Sequence, residues 1–238
     1  MFPVSLLSLD TTTEAGSCAL YLRGEVLLRH CPVGQSHSET LLPLVRQLLA
    51  EAGLSLNALD GIAFGAGPGS FTGLRVACGA AQGLAVASEL PLLPVGSLAC
   101  MAWAAGASQV LVALDARMGE VYWGRYARTA EGVAALAADR VLPPAEVLQD
   151  VSGMESGSGA WLACGNGLTA YPEIAEQLQS RGIALQPAIT PDAGWVAQLA
   201  APALSRGEGL DPALAAPVYV RDKVALTVAE RLARGGKA

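Results

Sequence analysis

Two groups of residues have the composition and spacing suited to chemistry, and the first is the pair Asp10 and Thr11. Both follow the apolar run of residues 4–9. A carboxylate beside a hydroxyl can hold a magnesium-bound water and hydrogen-bond a phosphate, as these groups do in phosphoryl-transfer sites. The structural alternative is an aspartate that ends a strand and caps its own turn. The pair is therefore a candidate for a nucleotide site, with the capping role left open.

The second group is the glycine-rich segment 65–73, which reads Gly-Ala-Gly-Pro-Gly-Ser-Phe-Thr-Gly. Glycine permits positive φ and lets backbone N–H groups approach an anion, and the N-terminus of a following helix adds partial positive charge. No Gly-Lys-Ser/Thr follows, so the segment is not a P-loop. It predicts either a phosphate or partner-loop site, or a tight turn that packs a helix against a sheet. The candidate nucleotide or loop site comprises Asp10, Thr11, Gly67, Gly69, Ser70, Thr72 and Arg75.

The rest of the sequence indicates neither metal ligands nor a catalytic nucleophile. The two histidines, His30 and His37, lie seven residues apart and form no metal-binding motif. The five cysteines are odd in number, scattered and never in a C-x-x-C pair, which favours small buried apolar residues over a disulfide framework or a zinc site. No G-x-S-x-G segment is present. We therefore predict no catalytic residue, no metal and no intrinsic cofactor.

A helix is predicted over about residues 40–52. Ser36 and Glu39 have the spacing of a capping box ahead of it. Pro43 removes a backbone donor and clashes with the preceding turn, so we expect the regular part to begin near Thr40. The apolar positions that repeat at helical intervals are Leu41, Val45, Leu48 and Ala52.

A strand, the glycine-rich segment and a second helix follow in that order. The strand covers residues 62–64 and the helical pattern covers 74–88, which is the arrangement of a ligand-facing βα unit. Gly79, Gly83 and Ala87 fall at steps of four and form a smooth stripe against which another helix could pack. Each glycine inside a helix lowers the stability of that helix by about 1 kcal/mol relative to Ala. The stripe therefore needs a compensating contact, either inside the same folded unit or across a subunit interface.

A weak internal repeat divides the chain into two similar parts. A strand that ends in Asp, a glycine and a second strand occur at residues 4–21 and again at residues 110–126. Two β-meander lobes, each followed by helical units, fit this repeat and predict a two-lobed α/β fold. The expected divisions are a first lobe over residues 1–105, a second lobe over 106–206, and a C-terminal segment, about 207–238, that packs back on the first.

The composition limits the classes of partner. The chain has 238 residues, of which 52% are hydrophobic and 15% charged, and its formal charge is −6. Nucleic-acid binding depends largely on Lys and Arg, so this acidic chain is not expected to hold RNA alone. The apolar stretch 84–106 is interrupted by Glu89, Pro91 and Pro94, which argues against a membrane span. The N-terminus lacks the features of a signal peptide, and the cytoplasm is the expected location.

Four segments together resemble the bacterial TsaB family, also called YeaZ. They are L-S-L-D-T-T-T-E-A-G-S-C-A-L at 7–20, H-S-E-T-L-L-P at 37–43, G-P-G-S-F-T-G-L-R at 67–75 and P-V-Y-V-R at 217–221. The resemblance implies an actin-like fold, shared with sugar kinases and heat-shock ATPases, made of duplicated ribonuclease-H-like lobes. It also implies a role in forming N6-threonylcarbamoyladenosine in tRNA that reads ANN codons.

The family likeness implies a partner subunit rather than an enzyme. It implies a dimer with the paralogue TsaD, which carries the transferase site, an ATPase, TsaE, as third member, and a homodimer when TsaD is absent. ATP or ADP would lie at the interface with TsaD, and tRNA would be reached only through the complex. TsaD-like chains hold a metal with an H-x-x-x-H pair, whereas the equivalent residues 95–101 here contain no histidine. The implied partner interface comprises Leu41, Val45, Leu48, Ala52, Gly79, Gly83 and Ala87.

A second hypothesis assigns the chain to the kinases or ATPases of the same fold. Asp10, Thr11 and the glycine-rich segment motivate it, because they have the residue types of a nucleotide site. The fold alone does not decide between the two hypotheses, since this architecture hosts many functions.

Overall fold

The computed structural model describes residues 4–152 and 161–221, which form two β-sheets covered by helices. The first sheet has the strand order β3-β2-β1-β4-β5. Strands β1, β2 and β3 form an antiparallel meander, and β4 and β5 run parallel to β1. The strands are β1 (Ser5–Asp10), β2 (Ser17–Leu22), β3 (Glu25–His30), β4 (Gly61–Gly67) and β5 (Leu92–Gly96).

The second sheet repeats this arrangement. Its order is β11-β10-β6-β7-β8, and β9 also pairs with β7. Strands β6 and β7 are antiparallel, while β10 and β11 run parallel to β6, as β4 and β5 do to β1. The strands are β6 (Gln109–Asp115), β7 (Val121–Arg128), β8 (Val133–Ala135), β9 (Arg140–Leu142), β10 (Trp161–Cys164) and β11 (Ala184–Gln186). The predicted two-lobed α/β fold is confirmed, and Asp10 and Asp115 end equivalent strands.

Helices cover both faces of each sheet. Helices α1 and α2 cover one face of the first sheet and α7 covers the other, while α4 and α6 cover one face of the second sheet and α3 the other. Both central strands are therefore buried on both sides, which explains their nearly continuous apolar sequence. The helices are α1 (His37–Glu51), α2 (Phe71–Ser88), α3 (Ser97–Ala105), α4 (Pro144–Ser152), α5 (Gly167–Ala170), α6 (Pro172–Ser180) and α7 (Ala193–Ser205), with 3-10 turns at Leu56–Ala58 and Pro212–Leu214.

Strand β1 contributes side chains to the cores on both faces of the first sheet. Because side chains alternate between faces, Leu7 and Leu9 enter the core under α1 and α2, and Leu6 enters the core under α7. Ser8 and Asp10 share the α7 face with Leu6 by the same alternation. The strand thus places its terminal carboxylate on the inner side of the molecule, toward α7.

The two lobes exchange a helix. Helix α7 lies within the range 106–206 expected for the second lobe, yet its residues Val196, Ala197 and Ala200 pack on the first sheet. Helix α3 lies within 1–105, yet it packs on the second sheet. Each of these helices therefore packs on the sheet of the other half of the chain, and the expected divisions at residues 105 and 206 stay a prediction.

Helices α1 and α2 both begin earlier than expected, at His37 and Phe71. Helix α1 begins at His37 and contains Pro43, because the N–H groups of Glu39 and Thr40 still donate to the carbonyl of Ser36 at 3.1 Å. The side chain of Ser36 does not cap the helix and contacts the hydroxyl of Ser38 instead. The proline removes only one donor in the second turn of a helix that the core holds in place.

Candidate functional site

A cleft of about 630 Å³ lies between the two lobes. The turn after β1 and the start of α2 form the wall of the first lobe, and the turn after β6 forms the wall of the second. Residues 218–221 line it as well. The carboxyl ends of the central strands of both sheets therefore face one opening, where ligands bind in open α/β sheets.

The glycine-rich segment packs tightly on the turn after β1. The N–H of Ser70 donates to the carbonyl of Thr12 at 2.7 Å, and the hydroxyl of Ser70 caps α2 by accepting from the N–H of Gly73 at 3.3 Å. A Cβ at Gly69 would lie 2.4 Å from the carbonyl oxygen of Thr12, and one at Gly73 would lie 1.8 Å from that of Thr11. These glycines are required because the backbone of the neighbouring turn occupies the space of a side chain.

Asp10 is buried beneath the cleft and does not line it. Its Oδ1 accepts hydrogen bonds from the N–H of Thr12 at 2.9 Å and from the Thr12 hydroxyl at 2.8 Å, so the carboxylate caps its own turn. Its Oδ2 has no hydrogen-bond partner among the described residues and faces Gly65, where a Cβ would lie 2.1 Å away. Burial raises the pKa of Asp10 to about 6, against the lowering effect of the Thr12 hydrogen bonds.

The structure separates the seven residues predicted as a nucleotide or loop site. Three of them, Gly69, Ser70 and Thr72, line the cleft. The hydroxyl of Thr11 is buried and donates to the carbonyl of Gly73 at 2.6 Å, so it is not free to reach a phosphate. The residues that do not line the cleft are Asp10, Thr11, Gly67 and Arg75.

Gly67 and Arg75 have roles in packing. A Cβ at Gly67, whose φ is +113°, would lie 2.7 Å from the carbonyl oxygen of Val218. The guanidinium of Arg75 stacks on the ring of Phe71, 3.3 Å from its centroid, and lies 5.4 Å from the ring centroid of Tyr219. Both residues therefore contact the C-terminal segment or its neighbours instead of the cleft.

The wall of the second lobe contains residues that sequence reasoning missed. The carboxylate of Asp115 accepts from the N–H of Arg117 at 2.8 Å and from the hydroxyl of Tyr171 at 3.2 Å. The amide oxygen of Asn166 accepts from the N–H of Asp115 at 2.9 Å. Arg117 also reaches across the cleft to Glu14, with a nitrogen-to-oxygen distance of 2.7 Å. The internal repeat, which aligns Asp115 with Asp10, is the signal that could have found this wall.

The structure places the seven residues predicted as a partner interface in two different settings, and their contact with a partner stays a prediction. Leu41, Val45 and Leu48 are at most 3% exposed and belong to the core of the first lobe. Ala52 is half-buried and packs on the same core. Helical periodicity identified an apolar face of α1, and that face meets the first sheet. Leu41, Val45 and Leu48 are therefore enclosed in the lobe, while Ala52 is only partly covered.

The other three predicted interface residues form an exposed stripe on α2. Gly79, Gly83 and Ala87 are exposed. Apart from the backbone of the helix itself, no heavy atom of the described residues lies within 4 Å of a Cβ built at Gly79 or Gly83. Val86, beside them, is 65% exposed. No contact inside the described lobe compensates for the two glycines.

The two residues predicted to hold magnesium and phosphate do not line the cleft in this structure. Asp10 is capped and enclosed, and the Thr11 hydroxyl is engaged by Gly73. Within residues 4–152 and 161–221, no three His, Cys, Asp or Glu side chains cluster to hold a metal ion.

None of the helices described in those ranges is long and apolar enough to cross a membrane.

The duplicated sheets and the cleft between them define a two-lobed α/β protein of the class that includes actin, the sugar kinases and the heat-shock ATPases. The model of the TsaD family, the tRNA N6-adenosine threonylcarbamoyltransferases, matches residues 32–226. The chain belongs to the TsaB family, also called YeaZ, whose members are named for tRNA threonylcarbamoyladenosine biosynthesis.

Three relatives support this assignment. The TsaB protein of Escherichia coli is 38% identical, over 92% of this chain and 96% of its own length. The TsaB protein of Haemophilus influenzae is 35% identical, over 93% of this chain and 95% of its own length. The solved structure of YeaZ from Pseudomonas aeruginosa is 40% identical, with a TM-score of 0.77, and the match covers 91% of this chain and 99% of that one.

The buried carboxyl of Asp10 predicts a specific dependence of stability on pH. Because its pKa is raised in the folded state, its protonated form favours folding at low pH, and that contribution is lost as the pH rises through about 6. Asn at this position does not titrate. Between pH 4 and pH 8 we expect the free energy of unfolding of the wild type to fall by roughly 2 to 3 kcal/mol relative to Asp10→Asn. Urea unfolding of both proteins across this range measures the difference, and a difference that stays constant with pH would contradict it.

Two glycines of α2 predict opposite effects of the same substitution. Gly73→Ala places a methyl group against the carbonyl of Thr11 and should lower the free energy of unfolding by roughly 2 kcal/mol or more. Gly79→Ala meets open space on an exposed helical face and should raise it by about 0.5 to 1 kcal/mol. Thermal and urea unfolding of the two variants test the pair. Equal effects would show that the turn after β1 can move away from α2.

Proposed function

We propose that the chain is a non-catalytic subunit that binds and activates a TsaD-type threonylcarbamoyltransferase during formation of N6-threonylcarbamoyladenosine in tRNA that reads ANN codons. Family membership supports the pathway. The observation that carries the non-catalytic role is the commitment of Asp10 and Thr11 to internal hydrogen bonds. The side chains with the residue types of a phosphoryl-transfer site are used to hold the lobe together.

The exposed face of α2 supports a protein partner. The glycines of that face lower the stability of an isolated helix, and they leave a smooth surface to which another helix backbone can approach closely. The transferase family model matches residues 32–226, a range that includes α2. A paralogue of the same fold would therefore present an equivalent helix, and we propose that the two helices pack face to face. The same surface would serve a homodimer when the paralogue is absent.

The chain's charge supports an indirect contact with tRNA. With a formal charge of −6, it lacks the excess of Lys and Arg that phosphate binding requires. We propose that tRNA is held by the complex, which also includes a TsaE-type ATPase. ATP or ADP would bind where this chain meets the paralogue, since Asp10 and Thr11 are occupied internally.

A small-molecule kinase or ATPase of the same fold is the alternative. The cleft and the cleft-lining residues Gly69, Ser70 and Thr72 favour it, because they lie where this fold class binds ligands. The enclosed Asp10 disfavours it. ATP turnover by the isolated chain in the presence of magnesium, abolished by Asp10→Ala, would establish this alternative in place of the partner role.

Association with a TsaD-type protein should depend on the stripe of small residues. Gly83→Leu adds a large side chain to an exposed helical position, so we expect the variant to fold and to lose association by at least about tenfold. Size-exclusion co-elution followed by titration calorimetry measures this loss.

The matched control is Gln179→Leu, which adds Leu at an exposed position of α6 in the second lobe. It should bind as the wild type does. Wild-type chain that fails to co-elute with a TsaD-type protein under any nucleotide condition, or a Gly83→Leu chain that binds normally, would argue against the proposed interface.

A further inference from the structure

The segment that follows α7 returns to the first lobe and is held there by several contacts. Leu210 pairs with Leu92 of β5 through two backbone hydrogen bonds of 2.9 Å. The side-chain amide of Gln82 on α2 donates to the carbonyls of Pro212 at 2.9 Å and Ala215 at 3.0 Å. Ala215 is buried in the core beneath α2. The segment is therefore fixed to the first lobe along its length up to Ala215.

The same segment then reaches the second lobe. The N–H of Val218 donates to the carbonyl of Ala66, at the end of β4, at 2.7 Å. Val220 packs against the core beneath α3. The guanidinium of Arg221 donates to the carboxylate of Glu120 at 2.6 Å and to the carbonyl of Arg117 at 3.4 Å. Four consecutive residues thus pass from one lobe to the other along the cleft that they line.

Helix α2 contacts this segment at two places. Phe71, Arg75 and Gln82 lie at helical spacing, so they share one side of the helix. Phe71 and Arg75 meet Tyr219, with the two rings 5.9 Å apart, and Gln82 holds the turn at 212–215. Tyr219 is 47% exposed and Phe71 is 49% exposed. The side of α2 that contacts the segment therefore adjoins the exposed stripe of Gly79 and Gly83.

The absence of a side chain at Gly67 leaves space for the segment where it passes between the lobes. A side chain there would lie 2.7 Å from the carbonyl oxygen of Val218, and the φ of +113° also favours glycine. Away from the cleft, the indole N–H of Trp103 on α3 donates to the amide oxygen of Gln198 on α7 at 2.9 Å. Across the cleft itself, the described residues include one further ion pair, Arg117 with Glu14, whose groups are 72% and 91% exposed. Such a pair is screened by solvent and contributes little. In contrast, the side chain of Arg221 is only 14% exposed.

We infer that residues 207–221 form an interlobe strap, which sets how far the cleft opens and links the exposed side of α2 to the turn at Arg117. The link to a partner rests on the proposed function, because it assumes that the partner binds α2, whereas the effect on the cleft does not. A partner that moves Gln82 or Phe71 changes the strap and hence the cleft. The coupling is reciprocal. If the partner changes the affinity of the cleft for a ligand by some factor, that ligand changes the affinity of the chain for the partner by the same factor.

The strap is tested in the isolated full-length chain by the distance between spin labels on the two lobes. All five native cysteines are buried. Labels are therefore directed to Glu39→Cys on α1 and Glu176→Cys on α6, both at exposed positions. Double electron–electron resonance then reports the distribution of lobe separations. Arg221→Gln removes the ion pair with Glu120 and should broaden this distribution about twofold.

Two further variants separate the strap from a general loss of stability. Gln82→Glu replaces the donating amide with an oxygen that repels the carbonyls of Pro212 and Ala215, and it should broaden the distribution as well. Arg140→Gln removes an ion pair with Asp150 inside the second lobe and should leave the distribution unchanged. Unchanged distributions in both Arg221→Gln and Gln82→Glu, or equal broadening in Arg140→Gln, would overturn the strap.

The link to α2 is tested by adding a TsaD-type protein to the labelled chains. We expect binding to shift the distribution of the wild type and to shift that of Gln82→Glu by less than half as much. A partner that binds without any shift in the wild type overturns the link. Failure of the partner to bind counts against the proposed function and leaves the result on the isolated chain in place.

Discussion

Close packing between the turn after β1 and the unit formed by β4 and α2 is the constraint on which the first lobe depends. A Cβ at Gly65, Gly69 or Gly73 would come within 2.4 Å of an atom in residues 10–12. The absence of these side chains lets the turn bury its carboxylate and its hydroxyls against the backbone. The same contact begins α2 at Phe71, and it thereby fixes the direction in which the exposed face of that helix points.

This constraint also explains how a sequence with the residue types of a nucleotide site can fit the proposed role of a binding subunit. The Oδ1 atom of the Asp10 carboxylate is bonded within the turn, its Oδ2 atom is enclosed against Gly65, and the Thr11 hydroxyl is bonded to α2. Two surfaces of the first lobe are accessible to other molecules. They are the outer side of α2, where no side chain covers Gly79 or Gly83, and the wall of the cleft. The C-terminal segment connects those two surfaces, so binding at one has a physical route to the other.

Much of the fold could be predicted from the sequence, and the misses have specific causes. The repeat of strand, Asp, glycine and strand predicted both sheets, because alternation and turn residues are local signals. Helical periodicity could not tell whether the apolar face of Leu41, Val45 and Leu48 meets a sheet or a partner. Helices α3 and α7 each pack on the sheet of the other half of the chain. This packing depends on tertiary contacts and leaves no pattern in the local sequence. The repeat did contain Asp115, but only the matching strand orders of the two sheets show that Asp115 and Asp10 occupy equivalent positions.

The central claim is that the motif ending β1 supports the structure and performs no chemistry. The most direct measurement is the rate of N6-threonylcarbamoyladenosine formation in a reconstituted mixture of tRNA, a threonylcarbamoyl donor, a TsaD-type transferase, a TsaE-type ATPase and this chain with Asp10→Asn. The account predicts that the variant supports the wild-type rate and that omission of the chain abolishes it. A loss of about tenfold or more from a folded variant that still binds the transferase would contradict the account.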